Sequence, residues 1–306
     1  MATAENKSNR NSSKKRSGRT RPETNREAIN QMVEKTLQID EAEAIRAWRP
    51  LYQVIKTLFK PKVYNHDQLP DAPVMFVSNH STLAMDGFVL GPLIHQELDR
   101  FPRAMGDDFL FAQPKLADFL IRLGGVLGHQ DVCDALMENG KDIMVFPGGA
   151  HEANKPVRNR YTLQWKERTG FIRLAAKHGY TIVPLALVGP DEWYDRYVEP
   201  EDFYDTALGK LLIRLGMPEE MTHPDITPPL IKGMLGTPFP KPVRCYMGVG
   251  QPLDLSEYQG EELTNKRQQK LRQKVADELE GMIAELLLIQ AQEKNNQGLL
   301  RRILSL

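Results

Sequence analysis

The sequence predicts an α/β fold: a mixed, largely parallel sheet flanked by helices, with N-terminal amphipathic helices before it and a C-terminal helix after it. Three observations carry this. From residue 66 onward, short apolar runs alternate with segments of helical period, the pattern of a layered α/β domain. Runs such as VMFVS and IVPLALV are apolar along nearly their whole length, as strands buried on both faces are. The chain has 306 residues, 41% hydrophobic and 26% charged, which is ample material for a core.

The elements follow in order. Residues 1–26 hold eight basic side chains against two acidic ones and almost no large apolar residue. Such a segment cannot offset its ordering entropy, so 1–28 is expected to be a disordered basic tail. It is either a solubilising tail or an arm attracted to anionic lipid. Residues 29–65 form an N-terminal amphipathic helical segment, interrupted at Pro50. Beyond that proline, Leu51, Val54, Ile55, Leu58 and Phe59 share one helix face. Lys56, Lys60 and Lys62 flank it, with Trp48 and Tyr52 close by. This pattern fits an interfacial helix and equally a helix that covers its own domain.

The main domain is placed at 66–258. Within it Pro73–Ser78, Gly125–Leu127, Asp142–Phe146, Thr181–Val188 and Val243–Val249 read as strands. Segments 86–97, 114–123, 131–139 and 168–178 read as helices between them. Residues 190–240, rich in proline and aromatics, break the rhythm as an irregular insertion, with a helix near 206–215. Residues 259–306 form a C-terminal helix, densest over 262–293. There is no internal repeat.

Composition narrows the function. The 40 basic and 40 acidic residues balance, which argues against a nucleic-acid binder. No apolar run of transmembrane or signal-peptide length occurs, so the chain is expected in the cytoplasm, with any membrane contact peripheral. Two cysteines, Cys133 and Cys245, cannot form a disulfide scaffold or a thiolate metal site. No metal or cofactor is expected.

Three motifs carry chemistry. In the first, His80 leaves the run VMFVSN and Asp86 follows six positions later. An imidazole held in one tautomer by a carboxylate is a general base for a hydroxyl or water. Spacing alone selects nothing, because His66 has Asp71 and His129 has Asp134 five positions on. His80 stands out because it comes directly off a strand, where α/β sheets open their ligand crevice. A helix would turn Asp86 about 240° away from it, so the pair meets only across a loop. The second motif, Phe146-Pro147-Gly148-Gly149 followed by His151-Glu152, also leaves a strand. Its glycines let the backbone approach a ligand and offer N–H donors. It lacks the lysine of a nucleotide-binding loop and the second histidine of a zinc protease. The third, Lys166 to Gly189, reads as scaffold. No G-x-S-x-G nucleophile elbow is present.

In this order the motifs resemble the glycerolipid acyltransferase superfamily, which carries a His-x4-Asp block, a Phe-Pro-Glu-Gly-Thr-Arg block and a Val-Pro block. The matching residues are Asn79-His80 with Asp86, Phe146 to Gly149, and Val183-Pro184. The likeness spans about 66–255 and closes on Val249 to Leu255 (VGQPLDL). Two departures stand out. The His80–Asp86 spacing is one residue longer than the common block, and Gly148 and His151 replace the Glu and Arg associated with a phosphate-bearing acceptor. With Pro-Gly-Gly and Glu152, the chain looks more like the diacylglycerol and monoacylglycerol acyltransferase branch. Its RTGFIRLAAKHG segment is similar to that branch and to phytyl ester synthases.

The resemblance implies an O-acyltransferase that moves a fatty acyl group from acyl-CoA or acyl carrier protein to a lipid hydroxyl. The expected acceptor is neutral: diacylglycerol, monoacylglycerol or a long-chain alcohol. His80 and Asp86 would be catalytic. Asn79, Phe146, Pro147, Gly148, Gly149 and Glu152 would bind substrate, with N–H groups near Gly148 and Gly149 facing the oxyanion. The alternatives are a lysophospholipid acyltransferase and a non-catalytic lipid-binding relative.

Overall fold

The computed structural model describes residues 26–199, 202–215, 230–294 and 298–305. Most of the expected basic tail, residues 1–25, lies outside that set. Its last three residues already belong to helix α1 (Arg26–Leu37). After a short turn, Asp40 opens α2 (Glu41–Phe59) by accepting the Glu43 N–H at 3.0 Å, an N-cap that satisfies one of the helix's orphan donors.

The expected interruption at Pro50 does not occur, and α2 runs straight through it. Pro50 is exposed, as is Arg46, whose carbonyl loses its helical partner, so water can take the missing donor's place. The apolar residues of α2 divide between two surroundings. Trp48, Tyr52, Ile55 and Phe59 are buried, with Phe59 stacked 3.7 Å from Trp193. Val54 and Leu58 face solvent.

β1 (Lys62–Tyr64), β2 (Val74–Ser78), α3 (Asp86–Leu98) and β3 (Arg103–Gly106) come next. The short helices α4 (Asp108–Phe111) and α5 (Pro114–Arg122) precede β4 (Gly125–Leu127) and α6 (Gln130–Glu138). β5 (Ile143–Val145), α7 (Gly149–Ala153), α8 (Gly170–His178) and β6 (Thr181–Val188) complete the central layers. The expected irregular insertion contains an antiparallel pair, β7 (Asp195–Val198) with β8 (Leu230–Lys232), and between them α9 (Ala207–Arg214). β9 (Tyr246–Val249) returns to the main sheet. The expected single C-terminal helix is two: α10 (Asn265–Lys294) and the short α11 (Leu299–Leu304).

β1 and β3 had no counterpart in the expected strands. β3 reads Arg-Ala-Met-Gly, with no apolar run to mark it. The fold buries Arg103 to 1% exposure by pairing it with Glu41 at 2.9 Å and laying it over the Phe101 ring.

The seven-stranded sheet has the order β1-β9-β6-β2-β5-β3-β4. β2 to β6 are mutually parallel; β9 runs antiparallel to β6 and carries β1 parallel to itself at the edge. This is the mixed, largely parallel sheet the sequence predicts. On one face Met75, Val77, Ile143, Val145, Ile182 and Ala186 pack with residues of α1, α6, α8 and α10. On the other, Val74, Phe76, Met144, Val183 and Leu185 pack with α2 and α3. Burial of both faces is why the strands read as unbroken apolar runs. The order also sets β2 between β5 and β6, so the segments leaving their carboxyl ends meet at one edge, where α/β sheets hold their sites.

Candidate active site

Three segments converge at that edge: 79–86 after β2, 146–155 after β5, and 189–191 after β6. The β2 ladder ends at Ser78, paired with Leu185. Asn79 prolongs it with its side chain: its Nδ2 donates to Leu187 O at 3.0 Å, and its Oδ1 accepts the Leu187 N–H at 2.9 Å. Both ends of the carboxamide are thereby engaged with the protein itself.

His80 then turns off the sheet. The connection to α3 is not helical, for Leu83 and Ala84 both sit in the left-handed region, at φ 63° and 54°. Each such non-glycine residue costs about 1–2 kcal/mol. Their effect is to bring Asp86 back beside His80. His80 Nδ1 lies 2.6 Å from Asp86 Oδ2, while Asp86 Oδ1 accepts the Ser81 N–H at 2.8 Å and the Ser81 hydroxyl. Strain of this kind persists where the surroundings over-determine it.

Asp86 is fully buried and His80 nearly so, its side chain 11% exposed. Burial alone would push the Asp86 carboxyl up. The His80 charge and the hydrogen bonds from His80 and Ser81 together outweigh it and hold the group below the usual carboxylate range. The Phe146 ring stacks on the imidazole at 4.3 Å, tilted only 15°. With Nδ1–H donating to Asp86, the lone pair of Nε2 is left for an incoming hydroxyl.

The bend after β5 is shaped by two glycines with different reasons. Gly149 has φ +53°, and its N–H donates to Phe146 O at 3.0 Å, so this N–H closes the turn. Gly148 has an ordinary φ of −69° but no room for a side chain, because Glu152 fills the space. Arg168 Nη1 donates to Pro147 O at 3.0 Å and to Gly148 O at 2.7 Å. In a trans peptide the N–H opposes the carbonyl, so Arg168 aims the Gly148 N–H away from itself. Glu152 is buried, its Oε1 accepting the His80 N–H at 2.8 Å and its Oε2 the Gln164 N–H at 3.2 Å. Burial pushes its carboxyl above the usual range, against the Lys155 charge and both N–H bonds.

The rival pairs do not form. His66 is exposed in a 3₁₀ turn. His129 caps α6, its Nδ1 accepting the Asp131 N–H at 3.3 Å. Asp134 bonds instead to His178 and Lys177, at 2.7 and 2.6 Å.

Three residues of the site were not anticipated: Lys155, Arg168 and Asp191. Asp191 follows β6 at the same sheet edge, and the rule that singles out His80 would have pointed to it. Lys155 lies one helical turn beyond Glu152. Arg168 opens the RTGFIRLAAKHG segment, which carries part of the resemblance but reads as scaffold; nothing local shows that it reaches the bend.

Residues 60–188 match the family model described as Acyltransferase. Over these residues the chain is similar to the acyltransferase family. The match covers β1 to β6 and therefore includes His80, Asp86 and the Phe146–Gly149 bend. Phytyl ester synthase 2, chloroplastic, of Arabidopsis thaliana is 28% identical over 256 residues, 76% of this chain and 35% of that protein. Diacylglycerol O-acyltransferase 2B of Umbelopsis ramanniana is 35% identical over 91 residues, 28% of this chain and 26% of that one. An uncharacterised protein of Mycobacterium tuberculosis is 28% identical over 217 residues, 69% of this chain. This chain spans 57% of that mycobacterial protein's length. The crystal structure of a 1-acyl-sn-glycerophosphate acyltransferase from Thermotoga maritima is 16% identical, covering 84% of this chain and 88% of that one at a TM-score of 0.46.

Proposed function

We propose that the acyltransferase domain transfers a fatty acyl group from an acyl thioester, acyl-CoA or acyl carrier protein, to the hydroxyl of a neutral lipid. The observation that carries this reading is the 2.6 Å contact between His80 Nδ1 and the buried Asp86. His80 Nε2 takes the acceptor's hydroxyl proton as the oxygen attacks the thioester carbonyl. Asp86 holds the imidazole and stabilises its cationic form, and the Gly148 N–H faces the developing oxyanion. Collapse of the tetrahedral intermediate expels the thiolate, which receives the proton from His80. A general base of this kind is worth ~10²–10⁴ in rate.

The neutral acceptor rests on charge. Asp86, Glu152 and Asp191 surround the base, all buried. The nearby cations are engaged with the protein: Lys155 with His80 O and Asp191, Arg168 with two carbonyls. Neither cation is left to receive a phosphate headgroup, which would need its own. The likeness to a phytyl ester synthase and a diacylglycerol O-acyltransferase supports the same reading. Purified protein with labelled acyl-CoA should acylate diacylglycerol or a long-chain alcohol faster than lysophosphatidate. A clear preference for lysophosphatidate overturns the acceptor assignment.

Contact with lipid is peripheral in this reading. Among the described residues no helix is long and apolar enough to cross a membrane. The outer face of α2 exposes Val54 and Leu58 among Arg46, Arg49, Lys56 and Lys60, and the insertion exposes Leu235 and Phe239. Each cation near an anionic surface adds ~1 kcal/mol. Binding to vesicles containing anionic lipid, weakened by Val54→Asp with Leu58→Asp, checks this placement. Unchanged binding would remove α2 from it.

A further inference from the structure

His80 is gripped through its main chain as well as through its ring. Its N–H donates to Glu152 Oε1 at 2.8 Å, and its carbonyl accepts from Lys155 Nζ. The same ammonium lies 3.0 Å from Asp191 Oδ2, and both side chains are 1% exposed. Asp191 is fixed in turn, its Oδ1 accepting the Thr82 N–H at 2.8 Å and its Oδ2 the Tyr161 N–H at 2.9 Å. A carboxylate and an ammonium from one turn of chain thus hold the two poles of one residue's backbone, and Asp191 holds the ammonium and a residue two places beyond the base.

The sheet explains the need. β2 has lost its strand partners by His80, and buried backbone groups must find others. Neutral side chains could supply them, and burying an ion pair is costly enough that neutral replacements are often no less stable. Satisfying two orphan groups therefore does not by itself call for charge. Charge-assisted hydrogen bonds are shorter and about twice as strong as neutral ones, so what the ions add is precision. A misplacement of about 1 Å can cost ~10² in rate.

We propose that Lys155 is a positioning residue for the base: anchored on Asp191, its ammonium fixes the His80 carbonyl and so sets the imidazole between Asp86 and Phe146. It does not touch substrate. Asp191 lies outside the family match, which ends at Val188, so the anchor belongs to the part of the chain that follows it. The inference rests on His80 acting as the general base.

The test compares Lys155→Met with the double variant Lys155→Met/Asp191→Asn, which removes both buried charges and serves if the single variant does not fold. Two readouts are taken: steady-state kinetics with acyl-CoA and acceptor, and the proton resonance of the His80 Nδ1–H shared with Asp86. The expected result is a fall in kcat of about 10–100-fold, with both KM values within about twofold and the resonance shifted or broadened. The double variant should lose no more than the single one, because the two residues act as one unit. Wild-type kcat with an unmoved resonance in either folded variant overturns the proposal, and so does a raised KM at unchanged kcat. His80→Ala is the separating control: if it keeps full turnover, the general-base reading fails, whereas the His80 resonance in the Lys155 variants still reports on the clamp.

Discussion

A Cβ placed on Gly148 would stand 1.9 Å from Glu152 Oε2 and 2.3 Å from Glu152 Cβ. The two positions share one volume, and Glu152 has it. Where the related block carries an acid two residues after its phenylalanine, this chain has Gly148, and Glu152 follows four residues later. Its oxygens are bonded to the His80 and Gln164 N–H groups, so this carboxylate shapes the site from beneath.

Gly148→Ala should therefore be disruptive although its backbone angles suit any residue. Overpacking against a buried Cβ costs about 3 kcal/mol, against about 1–2 kcal/mol for Gly149→Ala, where left-handed backbone is the main obstacle. Urea midpoints of the two variants give the ranking. Gly148→Glu should gain activity toward neither a neutral nor a phosphorylated acceptor.

His80→Ala should lower turnover by ~10²–10⁴ and leave the protein folded. His129→Ala should leave turnover near wild type and cost about 1 kcal/mol, as the loss of a helix cap does. A labelled acyl-transfer assay with circular dichroism reads both. The opposite ranking would move the base to His129.

Asp86→Asn should lower kcat by about 10³ or more, since the imidazolium loses its counter-charge and the tautomer its anchor. It should also change the response to acid. The Asp86 carboxyl lies below its ordinary 3.8 in the fold, so its charge stabilises the native state above that value, and the contribution is lost as pH falls toward the folded value. Glu152, raised by burial, works in the opposite sense. Thermal melts between about pH 5 and 2 should lose less stability in Asp86→Asn than in wild type.

Both cysteines should resist alkylation in the native protein. Burial, with the Asp134 charge, pushes the Cys133 thiol up to about 12, and burial pushes Cys245 higher still. At pH 8 both thiols are then almost wholly protonated. Intact-mass measurement after iodoacetamide should show no adduct until urea is added. A native adduct would show that burial does not protect the thiols.

Periodicity and placement made much of this legible. The apolar runs foretold β2, β4, β5 and β6 because those strands are buried, and the strand-end position of His80 selected it over His66 and His129. β3 was hidden because its burial depends on a remote partner for Arg103. α2 was misread at Pro50 because sequence does not tell which helix face meets water. The family resemblance pairs Asp86 with His80; the turn at Leu83 and Ala84 that closes the pair is foretold by neither residue's own preference. Lys155, Arg168 and Asp191 act across three separate loops, and only folding brings those together.

α10 covers β6 and β9 with its middle turns, but its end does something else. Gln290 donates to Glu192 at 2.9 Å, Glu192 accepts from the Tyr161 hydroxyl at 2.8 Å, and the Tyr161 main chain bonds to Asp191. A chain shortened before residue 290 would keep His80 and Asp86 yet lose the far strut of the scaffolding behind Asp191. Trimming the carboxyl terminus would thus reach the proposed reaction centre from a distance.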